Sequence, residues 1–255
     1  IGTHRILGSS VMARFAQPAV KNGVDPDAVE VSADPPYDLP NLYVDYVRVE
    51  PRDVPTAFWR GVGPTRGTFV VESFIDELAA LANVDPVKYR LDLLNKTPRL
   101  KNALQLAVSK SDWGKPLAKG KGRGVSVMHA FGSFLAMIVD ITVNPQGEIK
   151  VDKVVCAVDC GLTVNPNTVL AQIEGGVIFG LSAVLYNEIT IKNGRVEQTN
   201  FNDYRVMRIN EAPVFDIHLI KSAEAPGGIG EPGTAAIGAA LANAVFSATG
   251  KRSRK

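Results

Sequence analysis

Apolar positions recur at two different periods along this chain, and the change of period divides it. From Leu42 the pattern alternates: Leu42, Val44 and Tyr46 fall on one face, Val47 and Val49 on the other, which predicts a strand. The residues before it carry no such period. Pro35, Pro36 and Pro40 interrupt any regular element, so residues 1–40 read as loop with one short helix near Val11. After the strand, Pro51, Pro55, Gly61, Gly63 and Pro64 predict another loop. From Thr68 to Ala82 the period becomes helical, with Val71, Phe74, Ile75, Leu78 and Leu81 on one side and Glu72, Asp76 and Glu77 elsewhere. Asp85–Pro86 supplies an N-cap followed by proline at the first helical position, and a second helix runs to about Asn95 with Val87, Leu91 and Leu94 inward. A third helix is expected over Leu100–Ser109.

The second half is strand-rich. Gly124 to Val143 and Ile149 to Val158 read as strands, with a turn at Asn144–Gly147 between them. Asn165–Pro166 opens a helix that ends near Leu181. Asn193–Gly194 is a hairpin dipeptide. Phe215, Ile217 and Leu219 alternate with Asp216 and His218, and a last helix covers about Thr234 to Thr249. Lys110 to Arg123, with Gly114, Pro116, Gly120 and Gly122 among lysines, is the best boundary. The expected fold is therefore α+β, in two mixed subdomains at 1–112 and 120–255.

Composition narrows the possible functions. Hydrophobic residues make up 45% and charged residues 21%, an ordinary core-forming balance. A net charge of +2, with no basic stripe interleaved with aromatics, does not point to nucleic acid. The sequence shows no apolar run of bilayer length; the nearest, Ala235 to Gly250, is interrupted and reads as a buried helix. The chain starts at Ile1 without a signal-like segment, so its natural N-terminus is expected upstream. Cys156 and Cys160 are too few for an iron–sulfur centre and read as buried or turn cysteines. His4, His129 and His218 have no metal-ligand spacing, and G-x-S-x-G is absent.

Three short motifs remain, each open to two readings. Gly228 to Gly233 matches G-x-G-x-x-G between a predicted strand and helix, but no acidic residue follows Glu231, which opposes a dinucleotide-binding unit. Glu231, among glycines at a helix start, is either a general base or a complement to the helix dipole. Gln172, Gly176 and Gly180 share one helix face, suited either to a ligand or to tight helix packing. Arg60, in Phe58-Trp59-Arg60-Gly61-Val62-Gly63, either binds an anion or stacks on Trp59.

Taken together and in order, these segments resemble one family. The set includes Thr56 to Gly63, Glu72 to Ala79, Asp85-Pro86 with Arg90, Gly122-Arg123-Gly124, and Phe131-Gly132-Ser133. It continues through Val158 to Gly161, Gln172 to Gly176, Asn200-Phe201 with Asp203-Tyr204, Gly230 to Thr234, and Thr249 to Arg252. The chain is similar to the C-terminal part of the large, molybdopterin-binding subunit of isoquinoline 1-oxidoreductase type, in the xanthine dehydrogenase/aldehyde oxidase superfamily. The resemblance implies a molybdenum hydroxylase whose two subdomains meet at a cofactor cleft, adding water-derived oxygen to an N-heterocycle or aldehyde. It assigns Glu231 as catalytic base, Gln172, Arg60, Gly61 and Gly230 to cofactor binding, Val62 to the substrate pocket, and no protein side chain to the metal. It implies molybdopterin cytosine dinucleotide as cofactor. Two partners are implied: a small [2Fe-2S] subunit, and the upstream half of the same large subunit, whose Gly-Gln-Gly motif is absent here. The fragment alone is expected to be inactive. Twin-arginine export in similar proteins implies a periplasmic location, with the cytoplasm as alternative. The other functional readings are a non-catalytic scaffold or degenerate paralogue and, more weakly, a nicotinamide-binding domain.

Overall fold

The protein is described by a computed structural model covering residues 2–52 and 54–254. The first part holds β1 (Gly2–Gly8), α1 (Met12–Phe15), α2 (Pro26–Val29), β2 (Leu42–Arg48), α3 (Val62–Leu81), α4 (Pro86–Leu93) and α5 (Pro98–Lys110). The second holds β3 (Lys121–Ala130), β4 (Ser133–Val143), β5 (Ile149–Asp159), α6 (Pro166–Leu185), β6 (Ile191–Lys192), β7 (Arg195–Val196), β8 (Val214–Leu219) and α7 (Pro232–Thr249). The fold is α+β. Its central sheet has the order β3-β4-β5-β8, antiparallel except for the parallel β5–β8 pair. Phe131 and Gly132, at φ 56° and 73°, make the tight reversal between β3 and β4.

Both faces of this sheet are covered. Val125, Val127, Ala136, Ile138, Val155 and Ala157 face α3, α4 and α5. Leu135, Met137, Val139, Val154, Cys156 and Val158 face α6 and α7. With no solvated face there is no polar alternation, which is why these strands read as apolar runs. Residues 111–120 are the loop from α5 to β3, and the helices before it cover the sheet after it. The division into 1–112 and 120–255 remains a proposal about cofactor-binding subdomains.

Several boundaries move. β1 pairs in parallel with β2 over seven positions but carries Thr3, His4 and Arg5, too polar for its period to show. α3 begins at Val62, so Gly63 and Pro64 lie in its first turn rather than in a loop. Proline is tolerated there because that N–H has no helical acceptor. α6 continues past Leu181 to Leu185, and at 20 residues it is long and apolar enough to match a bilayer span, which corrects the sequence reading. Here its Ile173, Val177 and Leu181 are buried in the core beneath the sheet. Cys156 and Cys160 are free and buried, as expected, and burial pushes the Cys156 thiol up.

α7 lies unusually close to β3. A Cβ on Gly124 would meet Ala240 O and Ala244 N at 2.2 Å, both helix backbone atoms. Gly124→Ala should force α7 off the sheet and lower stability by about 1–3 kcal/mol, read as a lower urea midpoint. Gly175→Ala, on the open side of α6 with nothing within 4 Å, should be neutral or slightly stabilising.

An ion pair ties α5 to the end of β5: Arg99 Nε and Nη2 donate to Asp159 Oδ2 and Oδ1 at 2.7 and 2.6 Å. Arg99 holds the Asp159 carboxyl below the usual range. A carboxyl depressed in the folded state stabilises above its unfolded pKa and loses that contribution as pH falls through the folded value. The stability gap between wild type and Arg99→Met should therefore be constant above about pH 5 and shrink below about pH 4.

Candidate functional site

Three chain segments distant in sequence converge at one cleft: the loop entering α3, one face of α6, and the glycine-rich strap entering α7. Gly61 caps α3 at φ 97°, a left-handed conformation that glycine adopts without cost. Val62 follows at φ 44°, an outlier for a β-branched residue. This kink turns Arg60 away from its own helix and across to the strap. Arg60 Nε donates to Gly230 O at 2.8 Å, its Nη2 also donates to that oxygen, and the same Nη2 donates to Gln172 Oε1 at 3.1 Å. The Gly61 N–H donates to Glu231 Oε1 at 3.0 Å. Arg60, Gly61, Gln172, Gly230 and Glu231 are thus brought together, with Val62 on the same turn.

The alternative readings separate here. Glu231 occupies the N-cap position of α7, yet its side chain makes no capping bond to that helix. It reaches α3 instead, so complementing its own helix end is not what holds it. The Gly176–Gly180 strip is helix packing: added Cβ atoms would meet Thr234 N at 3.2 Å and Ile237 Cγ2 at 2.5 Å, and Thr234 Oγ1 donates to Gly176 O. Only Gln172, at the open end of that face, reaches the cleft. Arg60 does not stack on Trp59. Trp59 packs on Phe179 with centroids 4.9 Å apart, and the Arg60 guanidinium lies 5.7 Å over the same Phe179 ring.

The strap is anchored at its back by three bonds. Gly227 N–H donates to Cys160 O, Gly228 N–H to Phe131 O, and Ser133 Oγ to Gly228 O, at 2.7–2.9 Å. The β3–β4 turn therefore sets where Gly230 and Glu231 sit. Gly230 stays exposed, with only Gln172 Oε1 near the position of a Cβ, at 3.8 Å. Beside Val62 opens a cavity of about 260 Å³, lined in part by Asp27, Thr56, Phe58, Trp59 and Arg66. Among the described residues, no three His, Cys, Asp or Glu side chains form a metal-binding group.

Sequence reasoning missed Glu30. It follows α2, is half-buried, and its carboxyl is raised by burial, by Asp27 and by Glu231. No local motif marks it, because residues 26–30 read as irregular and their position against α3 is purely tertiary.

The chain is similar to known proteins in sequence and, separately, in fold. Molybdopterin cofactor-binding domain families match residues 66–213 and 19–93. The chain is 32% identical over 222 residues to the beta chain of isoquinoline 1-oxidoreductase from Brevundimonas diminuta, covering 86% of this chain and 28% of that protein. It is 34% identical over 240 residues to a subunit of nicotinate dehydrogenase from Pseudomonas putida, covering 87% of this chain and 20% of that one. The chain therefore spans under a third of the length of either relative. Quinoline 2-oxidoreductase from Pseudomonas putida 86 shares the fold with a TM-score of 0.74 at 12% identity, over 84% of this chain and 53% of that one. Aldehyde oxidoreductase from Desulfovibrio gigas does so with a TM-score of 0.74 at 14% identity, over 98% of this chain and 46% of that one.

Proposed function

The chain belongs to the molybdopterin cofactor-binding domain family, and from that premise we propose that it supplies the base and one cofactor-facing wall of a molybdenum-dependent hydroxylase. The substrate is an N-heterocycle or an aldehyde, and the oxygen added to it derives from water. The observation that carries this reading is the placement of Glu231. Its Oε1 is fixed by the Gly61 N–H, at an open glycine-lined cleft and outside any capping bond, which leaves Oε2 to take a proton.

The donor set fits a polar, anionic cofactor. Gln172 spends its amide oxygen on Arg60 and keeps its amide nitrogen, while exposed Gly175 and Gly230 permit close approach. Molybdopterin cytosine dinucleotide would be held by Gln172, Arg60, Gly61 and Gly230; when bound it supplies a two-electron acceptor and activated, water-derived oxygen. With the cofactor bound, Glu231 would take up at Oε2 the proton released as the substrate is oxygenated, a role that requires a carboxylate in fixed orientation. Val62 and Trp59 shape the substrate side. The remaining cofactor contacts are assigned to the rest of a longer subunit, and electron removal to a separate [2Fe-2S] partner.

The test is molybdenum content, with oxidation of isoquinoline and benzaldehyde, for the full-length subunit co-expressed with its iron–sulfur partner. Stoichiometric metal with turnover supports the reading. A folded complex without molybdenum or turnover makes this chain a scaffold instead.

A further inference from the structure

The turn that presents the Gly61 N–H to Glu231 does not hold its shape by itself. Gly61 and Val62 follow one another in left-handed conformations, at φ 97° and 44°, and the second is costly for a β-branched residue. Such backbone persists only where its surroundings over-determine it. Within the turn, the Val62 N–H donates to Trp59 O at 2.9 Å and Thr65 Oγ1 donates to Arg60 O at 3.3 Å. Both bonds are local, and residues 54–59, which lead into the turn, belong to no helix or strand. The remaining restraint comes from another part of the chain.

That part is Phe179 of α6. It follows Gln172 by seven residues, two helical turns along the same face. Its one ring receives both residues that precede Gly61. Trp59 packs on it with centroids 4.9 Å apart, and the Arg60 guanidinium lies 5.7 Å from its centroid. Phe179 is 40% exposed and Trp59 42%, so the contact is not one that core burial imposes. Arg60 bonds only neutral oxygens, Gly230 O and Gln172 Oε1 across the cleft and none on a carboxylate among the described residues. A π face restrains a guanidinium without supplying an anion. A carboxylate in the same place would draw the cation into a forked pair and away from Gly230 O.

We propose that Phe179 is a positioning residue of the site: its ring docks Trp59 and Arg60, and thereby fixes the Gly61 N–H against Glu231 and the Arg60 guanidinium against the strap. Phe179 takes no proton. It acts on Glu231 through two bonds, Gly61 N–H to Glu231 Oε1 at 3.0 Å and Arg60 Nε to Gly230 O at 2.8 Å, one on the carboxylate and one on the residue before it. An aliphatic side chain at 179 fills similar space but offers no flat, polarised face. The guanidinium is then free to turn, and the left-handed pair is free to relax away from the strap. The inference rests on Glu231 being the base of the site.

The experiment uses the full-length subunit with its iron–sulfur partner, comparing wild type, Phe179→Leu, Phe179→Tyr, Glu231→Gln and the double variant Phe179→Leu/Glu231→Gln. Phe179→Leu should lower kcat for isoquinoline by about tenfold or more, with KM changed less than about twofold and molybdenum content unchanged. Phe179→Tyr keeps the face and should stay within about threefold of the wild-type kcat. In the Glu231→Gln background, Phe179→Leu should cost no more than about twofold further, because the group it positions is no longer a base. An undiminished kcat in Phe179→Leu, an equal loss in Phe179→Tyr, a loss confined to KM or to molybdenum content, or losses that multiply in the double variant each overturn the proposal. If Phe179→Leu does not fold, Phe179→Met takes its place, and a wild-type kcat there overturns the proposal as well. Full activity in Glu231→Gln would refute the base assignment instead, and the contrast between Leu and Tyr at 179 would still decide whether the ring positions the turn.

Discussion

Glu231→Gln is expected to lower kcat/KM by about 10²–10⁴-fold, the range for removing a positioned general base. Molybdenum content should stay at the wild-type level. Glutamine keeps the size of the side chain and can still accept the Gly61 N–H, so the contact between strap and α3 survives. Only the ability to take up a proton is lost. Separation of metal content from rate is therefore the diagnostic, measured by metal analysis beside steady-state kinetics on the same preparation. A variant that retains the rate removes Glu231 from the base position. A variant that loses the metal as well assigns it to holding the site together.

The largest stability effect is expected at Arg90. Its side chain is fully buried, as is that of Glu72 at 1% exposure. Arg90 Nε donates to Glu72 Oε2 at 2.9 Å, Nη2 to the Glu72 backbone oxygen, and Nη1 to Pro86 O. Glu72 in turn accepts from Tyr37 Oη at 2.5 Å and from the Val127 N–H at 3.0 Å. One carboxylate thus joins the loop before β2, helices α3 and α4, and strand β3. Arg90→Met fills much of the same volume but leaves the Glu72 charge buried without its cation, which costs about 3–5 kcal/mol. Chemical unfolding should show this as a large fall in midpoint. The double variant Glu72→Gln/Arg90→Met should be less destabilised than Arg90→Met, because no unpaired charge remains. Lys88→Ala, which breaks the exposed Lys88–Asp92 pair, should cost no more than about 0.5 kcal/mol. Equal losses for Arg90→Met and Lys88→Ala would show that the buried network does not carry the load assigned to it.

The elements that follow local rules were legible in the sequence. Asp85 accepts from Val87 N–H and Lys88 N–H, and Asn165 from Thr168 N–H, so each helix starts where its cap and proline predicted. Asn193–Gly194 makes the β6–β7 reversal at the expected dipeptide. These interactions close within two to four residues, and their partners travel with the sequence. The residue types at the cleft were legible as well, because glycines beside a lone acid, amide or guanidinium stand out in any context.

What those residues do to one another was decided by the tertiary structure. Arg60 and Gln172 are 112 positions apart, and Gly61 and Glu231 are 170 apart. No periodicity encodes such a pairing; the β3–β4 turn and the close approach of α7 to Gly124 set it. The same holds for the glycine strip of α6, which packing on α7 removes from the cleft. A sequence read locally shows which side chains are unusual. Only the packed chain decides which of their polar atoms are satisfied within the protein and which are left for a ligand, because burial and partner choice depend on neighbours brought together by folding.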